Sequence, residues 1–148
     1  MKLIKVIICS ALFTLLLGVS ALAMPDSMWP GDGGNTADLI VITKPPKDRS
    51  ATFDRSYVIS GYGKEGTTVA IYKLTGDYYT KTDYTWQIGA STFFAIPIQL
   101  DKRKNIFIVR AEDSNGLYQP VKLEITYLGN NLSEVVRGII VDPNSIPI

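Results

Sequence analysis

The feature that most constrains this chain is a two-residue period. Val121, Leu123, Ile125 and Tyr127 alternate with Lys122, Glu124 and Thr126, and Ile96, Ile98 and Leu100 alternate with Ala95, Pro97 and Gln99. Successive side chains on a strand point to opposite faces, so one row can enter a core while the other meets water. Phe107, Val109 and Ala111 form a further row, and Phe94 extends the second. Leu39–Thr43, Ser56–Gly61 and Thr67–Lys73 are rich in β-branched and aromatic residues, which suit strands. Turn-forming sequence separates the runs: Lys44-Pro45-Pro46-Lys47-Asp48, Gly63-Lys64-Glu65-Gly66, Asp101-Lys102-Arg103-Lys104 and Asp113-Ser114-Asn115-Gly116. No convincing long helix interrupts them. Six or seven short strands at this spacing predict an all-β antiparallel sandwich.

The two ends of the chain read differently. Lys2 and Lys5 precede an almost wholly apolar run from Ile4 to Leu17, followed by Ala21-Leu22-Ala23. That order describes a secretory signal peptide over residues 1–23, with cleavage expected before Met24. The run is shorter than the ~20 residues that span a bilayer, so no membrane span is expected after cleavage. The expected location is secreted, extracellular or in the cell envelope. Residues 24–37 hold Pro25, Pro30, Gly31, Gly33 and Gly34 and read as a flexible leader. Residues 38–129 are the sandwich, and residues 130–148 form a C-terminal tail or extra strand. Within that tail Ile139, Ile140 and Val141 are apolar, suiting either a last strand on their own domain or a partner's sheet edge.

Composition narrows the chemistry. The 148 residues include no histidine and a single cysteine, Cys9, inside the signal segment. Without imidazole or a second thiol there is no Ser-His or Cys-His pair, no internal disulfide and no thiolate zinc site. Carboxylates such as Asp48, Asp54, Asp77, Asp83, Asp101 and Asp113 leave one enzymatic route open. Most lie in loops and no nucleophile–base set can be assembled, so no enzyme, metal or cofactor is expected. Charge is balanced, with 15 basic and 14 acidic residues, and becomes −1 once Lys2 and Lys5 are removed. A nucleic-acid binder usually shows a basic excess, so nucleic acid is not an expected partner. An exported chain free of cysteine points to a bacterial envelope. Asp113-Ser114-Asn115-Gly116 echoes the start of a calcium loop, but Val121 and Lys122 stand where its bidentate glutamate should fall. Turn formation explains that corner better.

One segment invites a binding role. Tyr78, Tyr79, Tyr84 and Trp86 crowd into nine residues. Aromatic rings stack on sugars and anchor protein interfaces. The competing explanation is two ordinary strands whose alternate aromatics pack inward or across the pair. Because Tyr78 and Tyr79 are adjacent, one of them must face outward.

Four motifs in order carry a resemblance: Ile59-Ser60-Gly61; Glu65-Gly66-Thr67-Thr68-Val69; Phe94 to Leu100 with Lys104-Asn105; and Ala111-Glu112-Asp113-Ser114-Asn115-Gly116. Together they resemble the bacterial immunoglobulin-like (Big-type) domains of secreted and cell-surface proteins, over about residues 38–128. Arg103 departs from the family's usual glycine, and Asn115-Gly116 reverses its usual order. The resemblance implies an immunoglobulin-like sandwich of about seven strands with adhesion, spacing or binding roles, and brings no catalytic residues. The expected function is a non-enzymatic binding, adhesion or structural module at the bacterial cell surface, whose partner is an envelope or extracellular protein. The alternative is a carbohydrate-binding accessory module that reads a cell-surface glycan through Tyr78, Tyr79, Tyr84 and Trp86.

Overall fold

Alternation becomes strands throughout the middle of the chain. A computed structural model describes residues 24–32 and 34–129, and these contain strands and turns but no helix. The strands are β1 (Ser27–Met28), β2 (Ile40–Lys44), β3 (Arg49–Thr52), β4 (Ser56–Gly63), β5 (Thr68–Thr75), β6 (Tyr78–Gln87), β7 (Phe93–Gln99), β8 (Arg103–Glu112) and β9 (Tyr118–Tyr127). They form two sheets. The larger has the order β1-β6-β5-β8-β9-β3 and the smaller β2-β4-β7. Phe94, Ile96 and Ile98 of β7 meet Val69, Ile71, Phe107, Val109, Leu123 and Ile125 of the large sheet in one core between the layers. The chain is an all-β sandwich.

Two elements lie outside the expectation of about seven antiparallel strands. β3 runs parallel to β9, pairing Arg49–Thr52 with Glu124–Tyr127. Its four residues are too few and too polar to show a period, so only the neighbouring strand defines it. β1 pairs with the edge of β6, placing Ser27 opposite Thr80 and Met28 opposite Tyr79. The aromatic segment is also one strand rather than two. Its register with β5 shifts between Ala70 and Tyr72, where Thr82–Tyr84 oppose Ile71 alone. The Thr82 hydroxyl donates to the Ile71 carbonyl at 2.7 Å, giving that acceptor a partner within the irregular stretch.

The described parts of the expected flexible leader, residues 24–32 and 34–37, lie on the sandwich as a strap. Met24 and Met28 are buried on the outer face of the large sheet against Ala70, Tyr72 and Tyr79. This explains why β5 is buried on both rows over Val69–Tyr72, where a one-sided sheet would alternate. Farther along, the Thr36 N–H donates to the Tyr118 carbonyl at 2.9 Å, and the Tyr118 N–H donates to the Thr36 hydroxyl at 2.6 Å. Apolar spacing in a proline- and glycine-rich stretch gave the only hint of this packing.

The corner before β8 explains Arg103. It lies at φ 73°, in the left-handed region that glycine enters without a steric cost. The Asn105 amide holds the corner, donating to the carbonyls of Asp101 (2.9 Å) and Arg103 (3.2 Å) and accepting from the Asp101 N–H (2.8 Å). The signal segment 1–23 and the tail carrying Ile139, Ile140 and Val141 lie outside the described residues. Among those residues, no helix is long and apolar enough to cross a membrane.

Candidate functional site

The small sheet presents an exposed apolar row that crosses all three of its strands. Strand pairing sets Val41 opposite Tyr62 and Tyr62 opposite Phe93, one row across β2, β4 and β7. These side chains are 67, 53 and 40 % exposed. The Tyr62 and Phe93 rings meet edge to face with centroids 5.4 Å apart, a favoured aromatic geometry. An open depression of about 440 Å³ adjoins the row, lined by Leu39, Ile40, Val41, Tyr62 and Lys64 among others.

Local chemistry holds the row in place. Gln119 of β9 reaches across to the start of β2, accepting from the Leu39 and Ile40 N–H groups (2.6 and 2.7 Å) and donating to the Ile40 carbonyl (3.1 Å). A Cβ at Gly61 would collide with the Val41 carbonyl oxygen and the Phe94 ring, so glycine lets β2 lie close to β4. The three strands contain no acidic residue and one base, Lys44. The face is therefore nearly uncharged.

The aromatics of β6 do not form one surface. Tyr79 is buried under the strap, and Tyr84 packs against the main core. Tyr78 and Trp86 are exposed, but eight residues apart on one strand, roughly 25 Å at the usual rise. Tyr78 has a different neighbour. Its ring stands 6.2 Å from that of Trp29, which is 62 % exposed. A tight turn fixes Trp29: its N–H donates to the Asp32 carboxylate at 3.0 Å, and the Asp32 N–H donates back to the Trp29 carbonyl at 3.0 Å. Beside this pair, a cleft of about 240 Å³ is lined by Asp32, Tyr79, Ile108 and Lys122 among others. Trp29 is not evident from the sequence because it lies among glycines and prolines; its chemistry as an interface residue is the available signal.

One buried ion pair lies beside the strap. The Arg110 guanidinium donates twice to one Glu112 oxygen, at 3.0 and 2.7 Å, and both residues are 8 % exposed. The same guanidinium sits 4.0 Å over the Tyr118 ring, a cation–π contact. Tyr72 donates its hydroxyl to the Pro25 carbonyl at 2.6 Å. Burial pushes its pKa up to about 12, opposed in part by Arg110 and assisted by Glu112 and Asp26. The Asp113 carboxylate closes the β8–β9 turn, accepting from the Asn115 and Leu117 N–H groups at 2.9 and 3.0 Å.

No known protein family's sequence profile matches the chain, and no curated protein matches it. Among solved structures, the chain is similar to the crystal structure of CopC from Methylosinus trichosporium OB3b, at 14 % identity and a TM-score of 0.41. The match covers 62 % of this chain and 95 % of that one.

Proposed function

We propose that this chain is an exported, non-enzymatic binding module of the bacterial cell surface, of immunoglobulin-like type, whose small sheet docks a protein partner. The observation that carries this reading is the in-register row Val41–Tyr62–Phe93, left exposed on three rigid strands. Covering side chains of this size is worth roughly 1.5–3 kcal/mol each when burial is complete. Two adjoining aromatics are the kind of anchor on which binding energy concentrates. The face is nearly uncharged, so the partner surface is neutral and apolar, and binding should depend little on salt. Export rests on the pattern over residues 1–23.

Cross-linking in envelope extract, comparing the native chain with a Val41→Thr/Tyr62→Thr/Phe93→Thr variant, tests the proposal. A discrete partner captured by the native chain at low and high salt, and lost with the variant, supports it. The same partners retained by the variant would sink it.

A second reading has its own observation. The paired rings of Trp29 and Tyr78, beside a cleft that includes Asp32 and Lys122, offer an apolar platform with polar groups at its rim. Sugars present that combination of apolar face and hydroxyl edge. A glycan array followed by tryptophan fluorescence titration distinguishes the sites. Saturable quenching lost on Trp29→Ala supports the cleft, and loss on Trp86→Ala alone moves the site to the far end of β6. No saturable response removes the carbohydrate reading.

A further inference from the structure

The outer face of the large sheet has an apolar patch beside the Arg110–Glu112 pair, and a segment of the chain's own strap fills it. Met24 and Met28 lie on Ala70, Tyr72 and Tyr79, with Leu74, Ile106 and Ile108 at the margin. Backbone bonds guide the segment. Ser27 and Met28 pair with Thr80 and Tyr79, the Lys81 N–H donates to the Asp26 carbonyl at 2.9 Å, and Tyr72 donates to the Pro25 carbonyl. The face thus works as an acceptor groove for a short strand with two apolar anchors four residues apart.

The connection out of the groove has the properties of a hinge. Gly31 and Gly34 would meet nothing within 4 Å if each carried a Cβ, and neither has a positive φ. Gly31 is held in the Trp29–Asp32 turn, so the freedom lies at Gly34, where packing does not require glycine. Beyond the hinge, Thr36 is anchored to Tyr118. Releasing residues 24–30 would break the short ladder with β6 and empty the methionine sites, while the core between the two sheets keeps all its contacts. A segment seated by two methionines and a two-residue ladder, and joined to the sandwich through Gly34, can exchange as a unit between identical chains.

We propose that the large-sheet groove accepts residues 24–28 of a second copy of this chain, so that two molecules are linked by reciprocal exchange of their N-terminal straps. Contacts in the exchanged pair are the same as those within one chain, and the choice between them rests on concentration. A short flexible tether gives the internal strap an effective concentration of order millimolar. Exchange therefore grows as the chain itself approaches that range, as on a crowded surface. The inference is independent of the small-sheet proposal, because the two use opposite outer faces.

Disulfide trapping tests it directly. The expected mature chain, beginning at Met24, contains no cysteine. Ser27 and Thr80 are opposite one another and both exposed. Ser27→Cys and Thr80→Cys variants are purified separately, mixed, equilibrated at about 10 µM and about 1 mM, bracketing the lower part of the tether's range, and then oxidised. The expected result is a 27–80 linked heterodimer that rises at least about tenfold between these concentrations and exceeds both homodimers, as competition with a millimolar tether requires. Adding Met28→Asp to the Ser27→Cys chain should abolish that species. The double variant Ser27→Cys/Thr80→Cys should close within one chain at low concentration, showing that the strap is seated. Complete internal closure of the double variant at both concentrations, with no excess of 27–80 heterodimer in the mixture, would overturn the proposal. Heterodimer that survives Met28→Asp would also overturn it, since collision rather than docking would be the cause.

Discussion

The two outer faces of this sandwich both carry an apolar row, and the two rows met different fates. On the large sheet, Ala70, Tyr72 and Tyr79 are 0–3 % exposed under the strap. On the small sheet, Val41, Tyr62 and Phe93 stand in water. Both faces include an apolar row, but the large sheet also carries Arg110, Glu112, Lys122 and Glu124 on its outer face, where the small sheet has almost no charge. The difference is that residues 24–32 reach one face and no described segment covers the other. Covering has further consequences. It brings Arg110 and Glu112 into a nearly dry site and raises the Tyr72 pKa, whereas the open face carries almost no charge to desolvate. An uncovered apolar row on a rigid sheet is available for a partner; a covered one is already part of the fold.

The contrast can be broken most severely from the covered side. Arg110→Ala leaves the Glu112 carboxylate buried without its partner, and should cost about 3–5 kcal/mol in urea denaturation. Arg110→Met combined with Glu112→Leu should recover most of that loss, because it removes both desolvation penalties together. A single loss no larger than that of a surface substitution would show that water reaches the pair beneath the strap.

Met28→Ala should cost about 2–4 kcal/mol, the range for emptying a buried methionine site. The same variant should lower the Tyr72 pKa from about 12 toward the ordinary value, read from the ultraviolet spectrum of tyrosinate. The sign follows from the raised value. The stabilisation from keeping Tyr72 neutral is complete below pH ~10 and disappears as pH rises through about 12. In Met28→Ala the alkaline decline should be weaker, because folded and unfolded values lie closer together.

Substitutions on the open face sharpen the comparison by having little effect on folding. Each of Val41→Thr, Tyr62→Thr and Phe93→Thr should change stability by only about 0.5 kcal/mol, while capture of a partner is lost. A loss above about 2 kcal/mol for any one of them would mean that the row is already packed. The smallest effect belongs to the exposed end of the sandwich, away from both faces. The hydrogen bond and charge of Lys73 hold the Asp101 carboxyl below its usual range. Lys73→Ala should return Asp101 to ordinary values in an NMR titration. Any stabilisation from the pair is present above the unfolded carboxyl value and is lost as pH falls through the lowered folded one. Solvent screening makes that change in stability slight.

Much of the scaffold was legible from particular residues. Leu123 and Ile125 point inward while Lys122 and Glu124 point out, as their alternation required. Asp113-Ser114-Asn115-Gly116 is a turn, because its carboxylate reaches the N–H groups two and four residues on. The candidate site was far less legible. Tyr78 and Tyr79 face opposite ways as adjacency demanded, but nothing local said which would be covered. Val41, Tyr62 and Phe93 are unremarkable one at a time, and they become a row only through the pairing of three strands separated in sequence. Trp29 was hidden by its glycine- and proline-rich surroundings.

The sequence by itself determined the strand class, the turns and the limits on histidine- and cysteine-based chemistry, because these follow from side-chain period, backbone preference and residue type. Tertiary structure alone decided which apolar rows became core, which the strap sealed and which remained open. The physical reason is that a strand's period specifies two faces but not their neighbours. Which face is covered depends on contacts such as Met28 on Tyr79 and Gln119 on Leu39, made between residues far apart in the chain.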